Sequence, residues 1–439
     1  MDAFLLRALR IVIAADSDPV RQALFTNLRQ SRAAVRLAYA LHERLAGTSA
    51  GALFVSGYGL AFYLAIAAPP RRAPVVAVAG QANARRQIAR VAAWLGAGQC
   101  DAVRSGLRRL LTPSRLLALL LPSSSSGFMR AFRVIRAIDR RHGFLVSSRA
   151  ACALAWYSRG KAMLEDVRPR AVVVSSDSNP EEVGFAAAAR AIGVPTVFIS
   201  HAYPTPFSPP LDFSLSILGG DAEVSARRKR GEIRGDVLLA GVEGESAPLD
   251  PARFGREHPV IGIFTPKAVS WPKLADVIAD CRQHFGARRI VIRWHPSMLE
   301  PPRLGRVLND VSGIIESPAG AALPDVARQC DWVIGDENSG VHLPVLKLGI
   351  PTVGVKHLGL YSRTDMYGFA RDGVVLPPVA AVRDVQAEAL TRFYSDGWAA
   401  RFERYDAGYL RSDAVIGAEV RRAILALSSP VRSTSGVAV

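Results

Sequence analysis

Lysine is nearly missing from this 439-residue chain. It occurs six times, at 161, 229, 267, 273, 347 and 356, among 55 basic residues. So broad an arginine habit reads partly as codon preference, and arginine in place of lysine carries little weight by itself. Acidic residues are scarce in one region only. Residues 1–150 contain 22 Arg against 6 Asp plus Glu, which puts +16 of the formal +17 there. A one-sided basic third points to an anionic partner, whether lipid headgroups, a polyanionic substrate or nucleic acid. Nucleic acid is set aside because no aromatic and basic interleaving or recognition motif accompanies the charge. Four cysteines, at 100, 152, 281 and 330, are too far apart for a zinc knuckle or redox pair and too few for a disulfide scaffold. They are expected as buried thiols in a reducing compartment. The opening residues lack a signal-peptide layout, since Arg7 and Arg10 interrupt the apolar run, so a cytosolic chain is expected. Repeats and heptads are missing as well.

What is present is enough apolar residue, 49%, to bury a large core in two or three domains. From Leu45 to Pro70 there is no charged residue, with Arg44 before and Arg71-Arg72 after. Two readings fit that stretch: a membrane span, or a buried strand and helix diluted by Gly47, Gly51, Gly57 and Gly59. Leu107 to Leu121 interleaves Arg108, Arg109 and Arg115 with leucines, as either an interfacial segment or a surface helix would.

Apolar strand-like runs alternate with helix-length segments, the pattern of an α/β protein with parallel sheets. Strands are expected at 10–15, 73–79, 170–174, 196–200, 259–264, 289–293, 331–335 and 351–355, with helices near 181–192 and 273–285. Asp16-Ser17-Asp18 before Pro19 reads as a helix cap, although it formally matches a metal-binding Asp-x-Asp. Ser123–Gly127 reads as a flexible break, 243–257 as an interdomain linker, and 429–439 as a disordered tail. Asp177 and His201 end two strands of one strand–helix–strand unit, where a cleft is expected.

The second half holds the sharpest signals. Arg293-Trp294-His295-Pro296 ends a strand with a cation and an imidazole. Further on, Asp336-Glu337-Asn338-Ser339-Gly340 leads into a helix expected to start near Ser339 and to stop before Leu348-Gly349-Ile350-Pro351. Asn338 and Ser339 either cap that helix or frame an anion site at its amino end. His342 and His357 are read as secondary lining or core residues.

Strand-His-Pro followed about forty residues later by this Asn-Ser helix start and Leu-x-Leu-Gly-x-Pro is similar to the carboxyl-terminal half of bacterial capsule and teichoic-acid transferases. Those are GT-B enzymes, among them capsule polysaccharide proteins, polysialyltransferases and CDP-glycerol glycerophosphotransferases. Asp177, Ala191-Ile192-Gly193-Val194-Pro195 and Ser200-His201 resemble their first half, and the likeness spans about residues 170–360. Ala202 replaces the family glycine after the histidine, and Asn338-Ser339 replaces paired serines.

The resemblance implies two Rossmann-like parallel-sheet domains facing a cleft, an acceptor-side domain at 1–245 and a donor-binding domain at 246–428. It implies that His295, Ser339, Asn338, Arg293, Thr265, Lys267 and Gly340 bind the donor phosphates and that His201 is the base, with Asp177 either orienting it or capping the next helix. The substrates would be a nucleotide-activated sugar and a polysaccharide or lipid-linked acceptor, with no metal and no cofactor. The expected place is the cytoplasmic face of the plasma membrane, with peripheral contact to its anionic surface. A nucleotide-sugar 2-epimerase, a CDP-alditol phosphotransferase and a non-catalytic basic protein are the competing readings.

Overall fold

The computed structural model describes the chain apart from residues 1, 19–21, 23–32, 66–72, 81, 104–125, 206, 297, 299–303, 307, 309, 319, 361–364, 396 and 428–439. The segment 107–121, most of the 123–127 break and the expected tail lie outside the described residues. So does part of the stretch from 45 to 70.

Among the described residues, two wholly parallel sheets organise the molecule. The first orders its strands β2-β1-β3-β4-β5-β6, where β1 is Val75–Val78, β2 Cys100–Val103, β3 Ala171–Val174, β4 Thr196–Ile199, β5 Asp212–Leu218 and β6 Arg234–Leu239. The second runs β11-β10-β7-β8-β9, with β7 at Val260–Phe264, β8 at Arg289–Arg293, β9 at Ile314–Glu316, β10 at Trp332–Asp336 and β11 at Thr352–Val355. Strands β1, β3, β4, β7, β10 and β11 are buried at every position. Helices cover both faces of such a sheet, which is why these strands read as continuous apolar runs and not as alternations.

In each sheet the strand order reverses once, and ligands of open parallel sheets sit at that reversal, beyond the carboxyl ends. In the first sheet the reversal falls between β1 and β3, whose ends lead into Gly80 and Ser175. In the second it falls between β7 and β10, whose ends lead into Thr265 and Glu337.

Among the described residues the helices of the first unit are α1 (Ala3–Asp16), α2 (Ala33–Leu45), α3 (Ser49–Ala65), α4 (Ala82–Leu95), α5 (Ser126–Val167, broken at Gly143), α6 (Pro180–Ala191) and α7 (Asp221–Arg228). The strand expected at 10–15 is the second half of α1. Asp2 Oδ1 accepts from Phe4 N at 2.8 Å as the cap, and Leu5, Ala8, Leu9, Val12 and Ala15 recur at helical spacing to form the buried face. Six residues read alone do not reveal a period of 3.6, and eleven do. Asp16 is buried against Arg149 at the helix end and so serves packing.

Of the uncharged stretch, 49–65 forms the 17-residue α3, with Ala52 and Val55 fully buried. No helix among the described residues is long and apolar enough to cross a membrane. Cys152, Cys281 and Cys330 are buried, Cys100 is half-buried, and all four are free thiols.

The second unit carries α8 (Trp271–Gln283), α9 (Leu323–Ala327), α10 (His342–Lys347), α11 (Ala387–Ser395) and α12 (Trp398–Glu403). The chain passes between the sheets over 240–259. That stretch is tied down, with Ala247 N bonded to Lys347 O at 2.9 Å and Asp250 N to Gly349 O at 3.2 Å. The last helix, α13 (Asp413–Ala426), returns to the first sheet. Ile416, Val420 and Ile424 share a core with Val75, Ala77 and Val91, and Asp413 accepts from Trp94 Nε1 at 2.9 Å and Arg90 Nη2 at 3.0 Å. A Cβ on Gly417 would stand 2.3 Å from Cδ1 of Trp94. Gly417→Ala should therefore lever α13 from the sheet and cost about 1–3 kcal/mol, read as a lower urea midpoint.

Candidate functional site

The carboxyl ends of β1 and β3 meet through a buried carboxylate. Glu182, in the first turn of α6, accepts from Gly80 N at 3.1 Å and Ser175 N at 2.8 Å. Burial pushes this carboxyl up to about 7, against backbone donors that favour its anion. Gly80 is required by close approach, since a Cβ there would lie 2.3 Å from Asn179 Nδ2 and 2.4 Å from Glu181 Oε2. The sequence analysis places no function on this Glu181-Glu182 pair. Its signal in the sequence is Asn-Pro-Glu-Glu five residues after the end of a buried strand.

His201 follows β4, and its Nδ1 is hydrogen-bonded to the Ser175 carbonyl oxygen. A carbonyl only accepts, so Nδ1 carries the proton and Nε2 bears the lone pair in the neutral ring. Burial holds the ring's pKa below its ordinary value, which keeps it neutral at pH 7.

Asp177 does not reach His201 through a hydrogen bond and does not cap α6. It is ion-paired with Arg227 of α7, a buried guanidinium that also approaches Glu223 Oε1 at 3.4 Å and lies over the Phe198 ring. A buried arginine demands carboxylates, and Asp177 meets that demand. The Ser175 carbonyl, not Asp177, orients the imidazole.

Across from these ends stand those of the second sheet. Thr265 follows β7 and holds the next loop: its N donates to Arg293 O at 3.0 Å and its Oγ1 accepts from His295 N at 3.1 Å. The Thr265 hydroxyl thus positions His295. Arg293 ends β8 over the Phe264 ring at 5.6 Å, with its buried Nε lacking a hydrogen-bond partner. Burial lowers its pKa, and the charge of Arg86 on α4 lowers it further, which brings the first unit's cation to the same place.

Burial first, then Lys267 and Arg293, depress the His295 pKa to about 4. Lys267, exposed after β7, also lowers His201. One lysine thus acts on two histidines carried by different sheets.

Because the folded pKa of His295 lies below the ordinary 6.5, the unfolded chain binds a proton there that the folded chain refuses. Stability from this ring is complete above about pH 6.5 and is lost as pH falls towards 4. His295→Gln should flatten the fall in Tm over that window, measured by calorimetry at half-unit steps.

The helix expected to start near Ser339 starts at His342 and has six residues. Residues 337–341 form turns instead, because Asp336 gathers the local donors. Its Oδ1 accepts from Asn338 N at 3.1 Å, its Oδ2 from Gly359 N at 2.8 Å, and its carbonyl from Ser339 N at 2.9 Å. Ser339 Oγ accepts from Val341 N at 3.3 Å.

Asn338 Oδ1 accepts from Met366 N at 2.6 Å, while its Nδ2 is buried without a partner. A side chain at Gly340 would meet open space. His342 is a core residue: its Nε2 donates to Asp336 O at 3.0 Å, and the ring packs against Gly335. The structure thus brings His201, Lys267, His295, Arg293 and Thr265 to facing strand ends. Asn338, Ser339 and Gly340 occupy the neighbouring strand end, and Asp177 is drawn off to Arg227.

No family model and no curated protein matches the sequence. Among solved structures, the UDP-N-acetylglucosamine 2-epimerase from Rickettsia bellii aligns over 80% of this chain and 94% of its own at 12% identity and a TM-score of 0.46. The calicheamicin glycosyltransferase CalG4 aligns over 81% and 97% at 14% identity and 0.47, and the glycosyltransferase SnogD from Streptomyces nogalater over 81% and 99% at 16% identity and 0.40. This chain is similar to each in the run of its two α/β units, and at such values the likeness does not extend to activity.

Proposed function

We propose that the chain is a GT-B-type glycosyltransferase that moves a sugar from a nucleotide-activated donor to an acceptor hydroxyl. The observation that carries this reading is the pair of strand-end histidines, His201 from the first sheet and His295 from the second, both in the field of Lys267. Sugar transfer needs a base at the acceptor and positive charge at the leaving phosphate, and the two walls supply one each. His201 Nε2 takes the hydroxyl proton as the acceptor oxygen bonds to the anomeric carbon and the bond to the diphosphate breaks. Lys267, Arg293 and His295 then carry the leaving group's charge, with the Asn338-Ser339-Gly340 turn closing that side. The chemistry so written uses no metal and no cofactor.

The acceptor in this reading is a capsular or lipid-linked glycan at the cytoplasmic face of the membrane. The +16 of the first third supports it, as do the outward Leu37, Leu41 and Leu53 of α2 and α3, which suit an anionic bilayer surface.

The test is titration calorimetry with UDP, CDP and their sugar conjugates on the wild type and His295→Ala. Binding should weaken by about 1–3 kcal/mol in the variant. No nucleotide binding by the wild type rejects the reading, and turnover of a UDP-sugar without acceptor replaces it with the 2-epimerase.

A further inference from the structure

A cavity of about 440 Å³ opens between the units beside the strand-end cleft. Its walls come from the loop after β4, from α7 and from residues 366–372 and 404. That size suits a small ligand or one or two sugar rings.

Four cations line it, Lys229, Arg230, Arg371 and Arg404, against one carboxylate, Asp372. Asp372 is already engaged: Arg371 grips it at 2.7 and 3.1 Å, and Tyr405 Oη donates to it at 2.6 Å. Lys229, Arg230 and Arg404 are exposed and have no ion-pair partner among the described residues. Four cations against one carboxylate around one concave space leave an excess of positive charge that attracts anions.

The cavity also has a fixed aromatic wall. Tyr203 stacks on Tyr405 at 5.3 Å, meets Tyr367 edge-on at 5.8 Å, and donates its hydroxyl to Ala222 O at 2.7 Å. Held this way, the two lining rings, Tyr203 and Tyr367, give the cavity a preorganised aromatic wall of the kind that suits the apolar face of a sugar. The cavity adjoins the cleft at two points. Tyr203 lies two residues beyond His201, and Met366 N is bonded to Asn338.

We infer that this cavity is a subsite for an acidic saccharide, holding the carboxylate or phosphate groups of the acceptor while its hydroxyl reaches His201. This assignment rests on the transferase reading for the direction of the chain, while the recognition itself rests on the cavity alone.

Calorimetric titration with tetragalacturonate, maltotetraose and inorganic phosphate tests it, with UDP titrated separately. Tetragalacturonate should bind at least tenfold more tightly than neutral maltotetraose. The combined variant Lys229→Ala, Arg230→Ala, Arg404→Ala should lose at least tenfold for the acid and keep the wild-type UDP affinity, which also verifies its fold. Equal binding of the two oligosaccharides, or an unchanged affinity in the variant, overturns the subsite. Phosphate that displaces tetragalacturonate at equal concentration overturns its saccharide character. Wild-type protein that binds the acid but no nucleotide leaves the subsite standing and removes the transferase.

Discussion

Replacing His201 with alanine should lower turnover by about 10²–10⁴-fold while nucleotide affinity changes little. The ring is on the first sheet's side of the cleft, and its Nδ1 is committed to the Ser175 carbonyl, so Nε2 faces its task as a lone pair. Burial keeps it neutral at pH 7, the state a base requires. The donor groups Lys267, Arg293 and His295 are carried by the other sheet and remain. Turnover measured with saturating donor, beside the nucleotide Kd, separates the two roles. A variant with near-normal turnover would move the base to another group, Glu337 beyond β10 of the second sheet being the next candidate.

The largest effect on stability is expected at Lys347, inside the Leu-Lys-Leu-Gly segment that ends α10. Its ammonium is almost wholly buried, donates to Val242 O at 2.6 Å, and sits 3.0 Å from Asp406 Oδ2. Asp406 in turn accepts from Val242 N at 3.0 Å and Gly408 N at 2.9 Å. One ion pair thus ties the passage between the sheets to α10 and to the segment leading into α13. Lys347→Ala leaves the aspartate charge buried and unmatched, which costs about 3–5 kcal/mol. Urea unfolding of the variant should show that loss at pH 7, and Lys347→Ala with Asp406→Asn should regain part of it. Equal stability of single variant and wild type would show that the pair contributes nothing.

Much of the fold is local in origin, and that part was readable beforehand. Val172 to Val174, Ile290 to Ile292 and Val333 to Ile334 are uninterrupted apolar runs because their sheets are covered on both faces, so the strands stand out from the string of letters. The glycine and proline stops at 193–195 and 349–351 mark the turns for the same local reason. The positions of His201 and His295 at strand ends follow from these boundaries alone.

Partnerships between distant residues were not readable, because they depend on which side chains the fold buries together. Asp177 stands near His201 in the chain, yet Arg227, fifty residues further on, is buried beside it and takes its carboxylate. The turn at 337–341 looked like the first turn of a helix, yet Asp336 collects the donors that a helix would have left free. The last helix looked like the end of the second unit, and its apolar face instead completes the core beneath β1.

By itself the sequence determined the α/β alternation, the basic first third and the strand-end residues, since each is set by neighbours within a few positions along the chain. Only the tertiary structure decided which carboxylate each buried cation would take and that one lysine would act on both histidines. The cost of burying a charge is settled by whatever lies within a few ångströms in space, however far away it is in the chain.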